Sequence, residues 1–84
     1  MPVLSRFYGI VIRMYFQQSE HNPPHIHAFY GEDVAAVAIQ NGEVLEGCLP
    51  VKVMAMVREW IENNKTELLH MWETQEFKTL APLE

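Results

Sequence analysis

The sequence predicts an α+β fold: a four-stranded, mainly antiparallel sheet followed by two C-terminal helices packed on one of its faces. Three observations predict it. The first half alternates apolar and mixed positions through β-branched and aromatic residues. An Asn41-Gly42 pair separates two such segments, as hairpin turns do. After Pro50 the apolar residues recur at helical spacing. With 84 residues and no linker, repeat or low-complexity tract, residues 1–84 read as a single small domain.

The first predicted strand covers residues 7–16. Its even positions, Tyr8, Ile10, Ile12, Met14 and Phe16, form an apolar face, while Phe7, Gly9, Val11, Arg13 and Tyr15 form a mixed one. Residues 17–24 connect it to a second strand, His25 to Tyr30. There Ile26, Ala28 and Tyr30 alternate with His25, His27 and Phe29. Pairing these strands sets the histidines on the mixed face near Arg13 or Tyr15. Gly31-Glu32-Asp33 reads as a turn. Residues 34–40 and 43–47 then form a hairpin whose two-residue Asn-Gly turn would pair Ile39 with Val44 and Ala38 with Leu45.

Pro50 suits the first turn of a helix running to about Asn63, with Val53, Met54, Val57, Trp60 and Ile61 as its buried stripe. Asn64 with Glu67 three residues later resembles a capping box for a second helix, buried through Leu68, Leu69 and Trp72. The opposite sheet face stays open, with the histidines on it.

Composition sets limits on function. Hydrophobic residues make up 49% and charged residues 20%, a globular balance. No apolar run approaches the ~18 residues of a membrane span, and the N-terminus lacks a signal-peptide pattern. The single cysteine, Cys48, permits neither an internal disulfide nor a cysteine-based zinc site; a cytoplasmic location is expected. The net charge of −5 is uneven: residues 1–30 hold two arginines against one glutamate, residues 31–84 four cations against ten acids. Phosphate neutralisation needs clustered Lys and Arg, so direct nucleic-acid binding is disfavoured.

The densest chemistry is His21-Asn22-Pro23-Pro24-His25-Ile26-His27, with three of the four histidines in seven residues. The prolines stiffen the approach to the strand, and His25 and His27 share a face roughly 7 Å apart along the chain. A strand pair of imidazoles can ligate one transition metal, zinc first, with His21 as third ligand and Glu20 or Asp33 as a carboxylate. The plainer alternative is that His21 orders the loop while His25 and His27 cover the sheet. No cofactor is demanded. A Gly-rich phosphate loop, a serine–histidine–acid pattern and paired carboxylates are all missing. Histidine, arginine and the aromatics Phe7, Tyr15 and Phe29 on one face instead resemble an interaction surface.

The segments Ser5-Arg6-Phe7-Tyr8-Gly9-Ile10-Val11-Ile12, His21-Asn22-Pro23-Pro24-His25-Ile26-His27-Ala28, Asn41 to Gly47 with Leu49-Pro50, Glu59-Trp60 and Met71-Trp72-Glu73 resemble the small bacterial domain-of-unknown-function family 4160. The family more often has Phe at the position of Ile26, an inward position here. The resemblance implies a short, stand-alone cytoplasmic bacterial protein. It also implies a second small protein encoded beside it, in a two-gene arrangement like that of toxin–antitoxin modules. The expected function is therefore a non-enzymatic protein-interaction module. Its binding residues would be Phe7, Arg13, Tyr15, His25, His27 and Phe29, and its partner the neighbouring-gene product or a second copy. The alternative is a metal-dependent hydrolase or nuclease built on His21, His25 and His27.

Overall fold

Five strands, not four, precede the helices. The computed structural model describes residues 3–14 and 23–83. Strands β1 (Val3–Phe7), β2 (Ile10–Arg13), β3 (His25–Tyr30), β4 (Asp33–Ala38) and β5 (Val44–Gly47) lead into helices α1 (Val51–Asn63) and α2 (Lys65–Thr74). The strands form one antiparallel sheet in the order β1-β2-β3-β4-β5.

The strand expected over residues 7–16 is broken at Tyr8-Gly9. Both residues have positive φ, 49° and 81°, and Phe7 pairs with Ile10 across them. This is the backbone of a tight two-residue hairpin turn. Tyrosine is an uncommon occupant of a left-handed position, so the apolar run concealed the turn. The chain reverses there, and residues 3–7 become an edge strand.

The second hairpin also departs from expectation. Asn41 does not have positive φ, and the Asn-Gly pair is not a two-residue turn. Ala38 and Glu43 close a longer loop, with Ala38 N–H donating to the Glu43 carbonyl at 2.8 Å and Gly42 N–H to that of Ala38 at 2.9 Å. The Asn41 side chain accepts from Glu43 N–H at 2.9 Å, and Arg58 of α1 donates through Nε to the Gly42 carbonyl at 2.9 Å. The register becomes Val37 with Val44, Ala36 with Glu46 and Ala35 with Gly47, a bulge taking up the extra residue.

One apolar layer joins the sheet to both helices. Leu4, Phe7, Ile10, Ile12, Met14, Ile26, Ala28, Ala35, Val37 and Ile39 pack against Val53, Met54, Val57, Trp60, Ile61, Leu68, Met71 and Trp72. The α1 residues are those the helical spacing selects. On α2, Met71 is buried and Leu69 only half-buried, so the stripe is turned by about one residue from expectation. The capping box does not form. Asn64 spends its side chain on the last turn of α1, donating to the Trp60 carbonyl at 2.9 Å, and makes no side-chain cap to α2.

Beyond α2 the chain runs back along the outer edge of the sheet. Leu80 N–H donates to the Leu4 carbonyl at 2.7 Å, and Trp60 Nε1–H to the Ala81 carbonyl at 2.9 Å. Lys78 meets Glu67 at 2.7 Å. The C-terminal segment thereby covers part of the β1 edge, which would otherwise present unpaired backbone groups.

Candidate functional site

Alternation along the strands sorts the remaining residues onto the face away from the helices. Arg13 on β2 pairs with His27 on β3, His27 with Ala36 on β4, and Ala36 with Glu46 on β5. These four residues form one row across four strands. Beside it lie Val11, Phe29 and Val34 in a second row, and His25 with Ala38 in a third. Ala36 and Ala38 are buried yet stand outside the helix-side core. Arg13, His25, His27 and Phe29 are half-exposed, and Val34 is exposed.

Each polar side chain of the row has a defined neighbour. The Arg13 guanidinium lies 5.5 Å from the Phe29 ring centroid, within cation–π range; its Nε makes no hydrogen bond to the described residues. The His25 ring sits between two others, 5.2 Å from His27 and 5.0 Å from Trp72 of α2. His25 Nδ1 lies 2.9 Å from the Pro23 carbonyl. A carbonyl only accepts, so Nδ1 carries the proton and Nε2 the lone pair of the neutral ring. Burial holds His27 below the ordinary histidine value, nearby His25 lowers it further, and the Glu46 carboxylate partly opposes both. Between Phe29 and Glu46, over the small Ala36, lies a shallow depression of about 340 Å³ bounded also by His27, Val34 and Gly47.

Four expected site residues, Arg13, His25, His27 and Phe29, come together on this face. Phe7 does not. It is 7% exposed in the core, its ring 6.1 Å from that of Trp60, because the Tyr8-Gly9 turn breaks the alternation that would have carried it to the histidine side. Tyr15 and His21 lie outside the described residues, as does Glu20. Asp33 pairs with Tyr30, three residues along β4 from Ala36 and so ~10 Å from the histidine row; it is not a ligand candidate. Among the described residues no cluster of three metal-ligating side chains occurs.

Glu46 was not expected here. In the register of a two-residue turn it would pair with Val37 on the core face; the one-residue shift carries it to the histidine face. A signal for this was present. Val44 faces the core, strict alternation would bury Glu46 beside it, and a bulge resolves that conflict.

A family model for a domain of unknown function, DUF4160, matches residues 9–73, more than three quarters of the chain. The chain belongs to the DUF4160 family. The match runs from the Tyr8-Gly9 turn to the last turn of α2, so the whole Arg13–His27–Ala36–Glu46 row lies inside the DUF4160 region. No curated protein and no solved structure is significantly similar to the chain. Among the described residues, no helix is long and apolar enough to cross a membrane.

Proposed function

We propose that this DUF4160 protein is a non-enzymatic interaction module that docks a protein on the sheet face carrying Arg13, His25, His27 and Phe29. The observation that carries the reading is the one-sided packing of the sheet. Both helices share a single core with one face, and the other holds half-exposed aromatic, imidazole and guanidinium groups with Val34 exposed among them. Interfaces favour this mixture of arginine and aromatics at their centre. The partner we propose, on the family resemblance, is a small protein encoded by a neighbouring bacterial gene, in a cytoplasmic toxin–antitoxin-like or regulatory pair. Co-expression followed by size-exclusion chromatography tests this; a shared peak is expected, and two separately eluting proteins at micromolar concentration would refute it.

A second reading is a metal-dependent hydrolase or nuclease using His21, His25 and His27. What favours it is the side-by-side placement of the His25 and His27 rings at 5.2 Å, with the His25 lone pair on Nε2. Metal analysis of untagged protein decides it: stoichiometric zinc or another transition metal supports the reading, and failure to bind metal on titration ends it.

A further inference from the structure

The row Arg13–His27–Ala36–Glu46 carries a guanidinium on β2 and a carboxylate on β5, and exposed Arg6 on β1, paired with Val11, adds a second guanidinium on the Arg13 side of the same face. Three strand spacings separate Arg13 from Glu46, ~14 Å, too far for the pair to meet within one chain. Neither makes an ion pair among the described residues. Whatever covers this face must therefore satisfy a carboxylate at one end and a guanidinium at the other. An apolar cover would desolvate both without compensation, and a singly charged one would oppose one of them.

We infer that the face is self-complementary and that, in the absence of another partner, it docks a second copy of this chain. This rests on the reading of the face as a protein-docking surface and names an occupant for it. A two-fold axis in the plane between two facing sheets, parallel to the strands, reverses the cross-strand order of the second copy. Arg13 of each copy then meets Glu46 of the other, and His27 lies over Ala36, where the missing side chain leaves room. Such an interface is isologous, the same patch on both sides. The arginine stem can lie along Val34 with its head in the depression beside Glu46, a guanidinium on a carboxylate being the stronger class of hydrogen-bonded pair.

The four strands that overlap in this arrangement, β2 to β5, at ~4.8 Å spacing and about five residues in length, give a face of roughly 300 Å² per copy. That is less than half of the ~800 Å² per partner of a standard stable interface, so the dimer is transient and concentration-dependent.

Sedimentation or light scattering of the full chain across micromolar to near-millimolar concentration tests the inference with a charge swap. The wild type is expected to rise from monomer toward dimer mass. Glu46→Arg and Arg13→Glu should each weaken association at least tenfold, and the double variant Arg13→Glu/Glu46→Arg should restore it, with circular dichroism confirming that each is folded. Should Arg13→Glu fail to fold, Glu46→Arg against Glu46→Asp provides the contrast, loss against retention. A wild type that stays monomeric throughout, or a dimer indifferent to Glu46→Arg, overturns the inference. If the monomer still co-elutes with the neighbouring-gene product, only the second-copy assignment fails; if it binds nothing, the docking reading fails with it.

Discussion

Glu46 faces His27 across the methyl group of Ala36, on the side of the sheet that the helices leave uncovered. The β4–β5 register alone creates this relationship. It gives an otherwise apolar and basic surface its one carboxylate among the paired strand residues, and it ties His27 to the charge of its neighbours.

That tie has a measurable consequence. Glu46 raises the His27 value while burial and His25 lower it. Glu46→Gln should therefore lower the His27 pKa further and His25→Ala should raise it, read from imidazole resonances in an NMR pH titration. Because the folded value lies below the ordinary 6.5, the unfolded chain binds more protons between the two. The His27 contribution to stability is thus complete above the ordinary value and is lost as pH falls through it toward the folded value. Denaturant midpoints taken over that range should decline toward acid, and the decline should shrink in His27→Gln.

Phe7 and Phe29 separate core from surface. Phe7→Ala should cost about 3–5 kcal/mol, the range for emptying a buried aromatic site, with the volume-similar Phe7→Leu under about 1.5 kcal/mol. Phe29→Ala should cost about 1 kcal/mol, typical of a half-exposed position, and act instead on binding. Urea midpoints of the three variants check the order.

Close pairing of β4 with β5 depends on Gly47, opposite Ala35. A Cβ there would overlap the Val34 carbonyl oxygen, at φ +79°, so alanine meets backbone that cannot yield without breaking the register. At Gly42 a Cβ would meet only the flexible Arg58 stem at 3.4 Å, also at positive φ. Gly42→Ala should cost about 1–2 kcal/mol, the left-handed penalty alone. Gly47→Ala should cost clearly more, and it should shift the amide resonances of Glu46 and Ala36.

Tyr8 holds a left-handed conformation at φ 49° and is 61% exposed. Tyr8→Asn would place Asn-Gly in the turn that favours it. Stability should rise by about 0.5–1 kcal/mol, part of the left-handed penalty being recovered. The rise should be visible as a higher thermal midpoint.

Periodicity revealed the helices and the sorting of β3 because both rest on many residues acting together: the stripe from Val53 to Ile61 and the alternation from His25 to Phe29 each repeat one signal several times. What periodicity missed was decided by single residues. One tyrosine in a left-handed turn converted a strand into a hairpin and returned Phe7 to the core. One bulged residue in β5 moved Glu46 to the other face. The capping box failed because Asn64 serves two helices and its side chain bonds to the end of the first. The site was therefore half legible. Arg13, His25, His27 and Phe29 follow from strand alternation, whereas Glu46, Ala36 and Trp72 enter through register and tertiary packing.

The docking proposal is measured most directly by comparing co-elution of the proposed partner, a small protein from a neighbouring gene, with wild-type chain and with Phe29→Ala, on the same column at micromolar concentration. One joint peak is expected for the wild type and separate peaks for Phe29→Ala, with the variant's circular dichroism unchanged. A joint peak that persists with Phe29→Ala and with His27→Ala would place the partner elsewhere on the molecule and contradict the assignment of this face.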